Sequence, residues 1–188
     1  KGYTFVHAFD DPAVIAGQGT VGLEIVRQHS AELDVLFVPV GGGGLMAGIA
    51  AYIKYIRPEI KLVAVEAEDS ACLDAALRAK RRVVLPQVGL FADGVAVAQI
   101  GKEPFRVLRK LVDEVVTVTT DEICAAVKDV FDDTRAMTEP AGALAIAGLK
   151  KYVREHSLTS KTLMAVVTGA NVNFDRLRHI SERTELGE

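Results

Sequence analysis

Apolar residues fall into two alternating rhythms along this chain. Val35 to Val40, Lys61 to Glu66, Glu114 to Val118 and Leu163 to Val167 are short runs whose interiors are almost wholly apolar and rich in β-branched residues. That pattern predicts strands buried on both faces. Between them apolar residues recur three or four apart, the period of a helix with one buried side. Gly19 to His29, with Val21, Ile25 and Val26 on one side, fits this period, as do Leu45 to Ile56, Ser70 to Lys80 and Pro104 to Leu111. A further helix runs through Phe131, and another covers Ala141 to Val153.

The polar residues mark the ends of these elements. Pro58 stops the helix before it, because the residue preceding proline is pushed out of helical geometry. Ser70 is predicted to cap the helix it opens. Thr119 and Glu122 form a T-x-x-E capping box, and Pro140 suits a first helical position, where no N–H is needed. Arg81 to Gln99, with Pro86, Gly89 and Gly94, follows neither rhythm. Strand and helix in alternation predict a parallel sheet covered on both faces, a three-layer α/β architecture. No repeat or low-complexity linker divides residues 1–188, so a single domain is expected.

Composition narrows the class. The 188 residues are 49% hydrophobic with a formal net charge of −3, and the sequence pI is near 5.9. A nucleic-acid surface would be basic, so no nucleic-acid partner is expected. No apolar stretch reaches spanning length before a charge interrupts it, which argues against a membrane role. Cys72 and Cys124 are far apart and form no C-x-x-C pair, which favours a reducing, cytoplasmic setting over a disulfide scaffold. Lys1 is not an initiator methionine and no signal-peptide core follows it. The chain therefore reads as an internal piece of something longer.

Four consecutive glycines, Gly41 to Gly44, stand between the strand ending at Val40 and the helix opening at Leu45. Such a run costs backbone entropy and contributes no packing. Between a strand and a helix it can aim several N–H groups and a positive helix end at one spot, which suits a phosphate. A plain turn would need only one or two glycines. A second strand end carries Thr168-Gly169-Ala170-Asn171, in which a hydroxyl and an amide flank small residues. In open parallel sheets ligands sit at the carboxyl ends of strands. The two segments are thus candidates for opposite ends of one cofactor, the second for the polar contact to its ring.

Other patterns keep rival readings open. Gly42, Gly44 and Ala47 satisfy G-x-G-x-x-A, and Glu66 ends the next strand about 20 residues further on, as in a dinucleotide-binding module. Glu66, Glu68 and Asp69 could offer oxygens to a hard cation, although a solvated acidic loop is the simpler reading. Gly94 permits either a turn or a close backbone approach. Glu139 before Pro140 places a favourable charge at a helix start. No Lys-Ser or Lys-Thr pair follows the glycines, which excludes a Walker loop. The four histidines lack metal-ligand spacing, and there is no G-x-S-x-G elbow.

With these segments in place, the chain resembles the biosynthetic threonine dehydratases, pyridoxal-phosphate enzymes with the tryptophan synthase β-subunit fold. The resemblance rests on Val14-Ile-Ala-Gly-Gln-Gly-Thr20, Val38-Pro-Val-Gly-Gly-Gly-Gly-Leu45 and Ala64-Val-Glu-Ala-Glu-Asp-Ser-Ala-Cys-Leu73. It continues through Gly89-Leu-Phe-Ala-Asp-Gly-Val-Ala-Val97, Glu139-Pro-Ala-Gly-Ala-Leu-Ala145 and Gly169-Ala-Asn-Val-Asn-Phe174. The tetraglycine loop is shared by related dehydratases and racemases, while the Glu66 and Gly169 segments point to the biosynthetic branch.

The resemblance implies that Gly41, Gly42, Gly43, Gly44 and Leu45 bind the phosphate of pyridoxal 5'-phosphate. It implies that Thr168 contacts the pyridine nitrogen where the family usually has serine; Ala141 also stands where serine is common. A neutral hydroxyl at that nitrogen supports a weaker electron sink than a carboxylate, favouring expulsion of a β-leaving group over transamination. The implied reaction converts L-threonine to 2-oxobutanoate and ammonia, the first step of isoleucine synthesis. Serine dehydration or racemisation is the close alternative. The family's covalent lysine, and the segment contacting the substrate carboxylate, precede the matched region, and a regulatory domain follows it. Lys54, Lys128, Lys150 and Lys151 read as solvated helix faces. The expectation is therefore most of the larger cofactor domain of a cytoplasmic homo-oligomer, inactive alone, with no catalytic residue and no metal in this chain.

Overall fold

Among the described residues, strands 35–39, 61–67, 114–118 and 163–165 form one parallel sheet, in which 114–118 and 163–165 lie at the edges and 61–67 and 35–39 between them. They are β1 (Val35–Pro39), β2 (Lys61–Ala67), β3 (Glu114–Val118) and β4 (Leu163–Ala165). The helices are α1 (Pro12–Gln28), α2 (Gly44–Ile56), α3 (Cys72–Ala79), α4 (Lys102–Leu111), α5 (Thr120–Thr134), α6 (Pro140–His156) and α7 (Arg176–Thr184). The structure is a computed structural model that describes residues 2–29 and 31–184.

Side chains alternate across each strand, and the core divides accordingly. Leu36, Val38, Leu62 and Ala64 point toward one face, packed with α2, α3 and α4. Phe37, Val63, Val65, Val116 and Val118 point to the other, against α5 and α6. Both sides of β1 and β2 are therefore buried, which explains why these strands read as continuous apolar runs. The three expected layers are present.

From β1 the chain steps to β2 and then β3 with its connecting helices on one face. It then returns through α5 and α6 on the opposite face to place β4 on the other side of β1. The direction of winding thus reverses between β1 and β4. That gap is where an open parallel sheet leaves a crevice at its carboxyl edge.

Local signals behaved as their chemistry predicts, with some differences. Thr119 and Glu122 form the reciprocal capping box, and Pro140 opens α6. Helix α1 begins seven residues before the expected Gly19, because Asp11 caps it by accepting from the N–H groups of Ala13 and Val14. Strand β4 ends at Ala165, short of Val167. Helix α7 is too polar to have been recognised by apolar period alone. Ser70 does not cap α3: it closes a 3₁₀ turn at Glu68–Ser70, and Ala71 precedes the helix without a side-chain cap. Lys1 and residues 185–188, on which the expectation of a truncated chain partly rested, lie outside the described residues. Among the described residues, no helix is long and apolar enough to cross a membrane.

Candidate functional site

The β1–α2 loop starts from a buried strand paired on both sides. Beyond Pro39 the Val40 N–H still donates to Val65 O at 2.8 Å, holding the entry to the glycines against β2. The next carbonyls are tied down in turn. Gly41 O accepts the Cys72 thiol at 3.3 Å, Gly42 O accepts the Gly101 N–H at 3.1 Å, and Gly43 O accepts from Ala47 N at 2.9 Å. In a trans peptide the carbonyl and the following N–H point in opposite directions. Fixing these carbonyls therefore turns the N–H groups of Gly42, Gly43 and Gly44 away from Cys72, Gly101 and the body of α2. Gly44, Leu45 and Met46 open the helix, so their N–H groups have no intrahelical acceptor, and no side chain caps them. The result is a cradle of donors at a positive helix end.

Each glycine also has a neighbour that leaves no room for a side chain. A Cβ at Gly41 would lie 2.8 Å from Val95 Cα, and one at Gly43 would lie 2.6 Å from Ile100 Cδ1. Gly43 additionally sits at φ +89, a left-handed conformation suited to glycine. The whole run is explained by crowding on the protein side of the loop together with an open donor side.

A cleft of ≈ 340 Å³ runs from this cradle to the end of β4, lined by Gly41 to Leu45, Gly94, Val95, Glu139, Ala141 and Thr168, with Ala8 and Phe9 also on its wall. It falls at the reversal of winding between β1 and β4. All six cofactor residues expected from the sequence thus meet along one surface. Asn171 does not line it. Gly94 makes a close approach rather than a simple turn: a Cβ there would lie 2.9 Å from Ala141 Cβ.

The turn His7–Asp10 forms the outer wall. His7 Nδ1 accepts from Asp10 N at 3.1 Å, and the His7 and Phe9 rings meet edge-on at 4.6 Å. Asp10 in turn caps α4, accepting from Lys102 N and Glu103 N at 2.8 Å each. Partial burial raises the Asp10 carboxyl, but those N–H groups, with Arg82 and His7 nearby, hold it below its ordinary value. No single-residue motif in the sequence signals this wall.

Glu66 and its neighbours do not form a cation site. Glu66 is fully buried (0% exposed) while Glu68 and Asp69 face solvent, so the three carboxylates do not converge. Both Glu66 oxygens are occupied, Oε1 by Leu73 N at 2.7 Å and Oε2 by Asp74 N at 2.9 Å. Glu66 thus performs the capping expected of Ser70. Burial pushes its carboxyl up to about 7, against the lowering effect of those N–H groups. Burial and the adjacent Glu66 push the Cys72 thiol up to about 12, so Cys72 serves as a donor to Gly41 and not as a nucleophile. A carboxylate committed in this way cannot reach a ribose, and the dinucleotide reading loses its acidic partner. Among the described residues no group of three or more potential ligands could hold a metal.

Among the described residues, no lysine lines the cleft. Lys54 is not solvated as expected: its Nζ pairs with Asp113 at 2.7 Å and donates to Ile60 O. Lys151 donates to Thr117 O at 2.8 Å, and Lys150 pairs with Asp129.

The chain is similar to known proteins over most or all of its length. The family model described as "Pyridoxal-phosphate dependent enzyme" matches residues 1–169. The biosynthetic L-threonine dehydratase IlvA of Burkholderia multivorans is 57% identical over 100% of this chain, which spans 37% of that protein. The corresponding protein of Escherichia coli is 58% identical over 100% of the chain and 36% of its own length. The solved structure of the processed form of threonine deaminase isoform 2 from Solanum lycopersicum superimposes with a TM-score of 0.95 at 42% identity. That match covers 97% of this chain and 53% of that one. The chain therefore spans little more than a third of the curated relatives it matches.

Proposed function

Because the chain belongs to the family of pyridoxal-phosphate dependent enzymes, we propose that it forms most of the larger, cofactor-holding domain of a threonine dehydratase. In that reading the full-length protein converts L-threonine to 2-oxobutanoate and ammonia. The observation that carries it is the cleft between β1 and β4, with a donor cradle at one end and the Thr168 hydroxyl at the other. Identity to named threonine dehydratases along the whole chain supports the choice of substrate.

When bound, pyridoxal phosphate supplies an electron sink for the bonds at the substrate Cα. The chain's own residues anchor and orient that group. The N–H groups of Gly42 to Leu45 and the start of α2 would hold the phosphate, the carbonyls of the glycine loop being engaged elsewhere. Thr168, at the other end of the cleft, would offer the ring nitrogen a hydroxyl, which can donate or accept but carries no charge. A neutral hydroxyl there would support a full cation at the ring nitrogen less than a carboxylate would. Phe9, Val95 and Ala141 supply apolar surface to the walls between. The residue that bonds covalently to the cofactor comes from another part of the longer protein. The remaining assignments are a cytoplasmic, homo-oligomeric enzyme whose partner is a small amino acid.

The test uses full-length protein with pyridoxal phosphate and L-threonine, assaying 2-oxobutanoate and ammonia. Their stoichiometric release is expected. Racemisation of serine without any oxo acid, and no turnover of threonine, would overturn the substrate assignment.

A further inference from the structure

We propose that Glu139 is a positioning residue that sets the Thr168 hydroxyl at the cleft by clamping the strand-end loop 168–171 onto the first turn of α6. This deepens the reading above and rests on it. A glutamate before the proline of a helix start would ordinarily serve as a favourable charge at the positive helix end. Here the side chain makes no cap bond. Its Oε2 instead crosses to the other segment and accepts the Asn171 N–H at 3.0 Å.

Two backbone bonds accompany that contact. The Glu139 N–H donates to Gly169 O at 3.0 Å, and the Thr168 N–H donates to Gly142 O at 3.3 Å. Residues 168, 169 and 171 are therefore each fastened to the opening of α6, with Thr168 between two fixed peptides. Glycines make the fit possible. A Cβ at Gly169 would lie 2.2 Å from Glu139 Oε1, and a Cβ at Gly142 would lie 2.3 Å from Gly169 O. The same carboxylate reaches the opposite wall, where a Cβ at Gly94 would stand 3.2 Å from Oε1. Glu139 thus separates the 91–95 wall from the 168–171 loop and fixes their spacing.

Thr168 itself is exposed and follows the end of β4, so nothing else in the sheet ladder restrains it. A hydroxyl that must meet one ring atom needs placement within a fraction of an ångström, and small misplacements cost rate steeply. The carboxylate does not need to touch the reacting atoms to supply that placement.

Full-length protein carrying Glu139→Ala, Glu139→Gln or Gly169→Ala tests the proposal. The visible absorption band of the bound cofactor is recorded against pH. Amide hydrogen exchange at Asn171 is measured in the cofactor-free protein, and kcat and KM are determined separately. Glu139→Ala is expected to shift the cofactor band, speed exchange at Asn171 at least tenfold and lower kcat by about ten- to a hundredfold with little change in KM. Glu139→Gln keeps an oxygen for the Asn171 N–H and should restore most of all three readouts. Gly169→Ala should reproduce Glu139→Ala, because its methyl would stand 2.2 Å from Oε1 and displace the carboxylate. A wild-type band and wild-type exchange in Glu139→Ala would overturn the proposal, as would a Gln variant as impaired as Ala. The band and the exchange rates do not depend on which amino acid is turned over. A wrong substrate assignment would therefore leave them interpretable.

Discussion

The ring of Phe9 fills the space that a side chain at Gly42 would need: a Cβ at position 42 would stand 2.2 Å from Phe9 Cγ. Gly44 is under the same constraint, with a would-be Cβ 3.0 Å from Phe9 Cα. The glycine run is thus an agreement between two segments far apart in sequence, a loop stripped of side chains and an aromatic wall laid over it. Gly42→Ala in the full-length protein should force the ring or the loop outward, an overpacking cost of about 1–3 kcal/mol. Pyridoxal-phosphate affinity, read by fluorescence titration, should fall about tenfold or more, since about 1.4 kcal/mol is a factor of ten. Adding Phe9→Ala makes room and should recover part of the loss. Undiminished affinity in the single variant would show that the loop tolerates displacement.

Thr168 offers a cleaner chemical test because its shape can be kept while its hydroxyl is removed. Thr168→Val preserves branching and deletes one polar contact, worth about 0.5–1.5 kcal/mol. Thr168→Ser keeps the hydroxyl and loses a methyl. The serine variant should retain the parental dependence of the cofactor band on pH, and the valine variant should shift it and slow turnover two- to tenfold. If valine and threonine behave alike, the hydroxyl makes no contact with the ring.

Glu66 predicts a pH effect of definite sign. Its carboxyl is held protonated up to about 7, whereas its ordinary value is 4.5. Between those values the unfolded chain gives up the proton and the folded one keeps it. Stability from this group therefore falls as pH rises through that window and levels off above it. The full effect is bounded at about 3 kcal/mol by the size of the displacement. Glu66→Gln should unfold more readily than the parent at pH 5, because one of the Leu73 and Asp74 N–H groups then faces an amide NH₂. The gap should narrow by pH 8. Thermal midpoints of both proteins across this range supply the measurement, and parallel curves would show that another group titrates.

Much of this arrangement was legible in the sequence because its causes are local. A strand buried on both faces must be apolar at every position, so β1 and β2 announced themselves through Leu36, Phe37, Leu62 and Val63. The capping box at Thr119 and Glu122 and the proline at the start of α6 act within one helical turn. Asp11 and Pro12 carried an equally local signal for the start of α1, but the apolar period becomes clear only later in that helix. What could not be read depends on partners supplied by the fold. Ser70 is a sound capping residue by type, yet Glu66 reaches α3 first from the end of β2. Glu139 suits a helix start, and only the return of β4 beside β1 brings Asn171 within its reach. Phe9 has no significance in the sequence until Gly42 is found beneath it.

The placement of β4 next to β1 has a consequence for how the protein is made. The donors of the phosphate cradle, and the strand that carries them, are synthesised before Thr168. The hydroxyl wall arrives only after α5 and α6 have been laid across the opposite face. Closing so long a loop is slow compared with forming the local β1–α2–β2 unit. The nascent chain therefore holds half a binding site well before it holds the other half, and the cofactor can stabilise only the finished arrangement. Its capture by the longer protein would then require β4 to be in place, making the coenzyme a witness to that stage of folding as well as a participant in the chemistry.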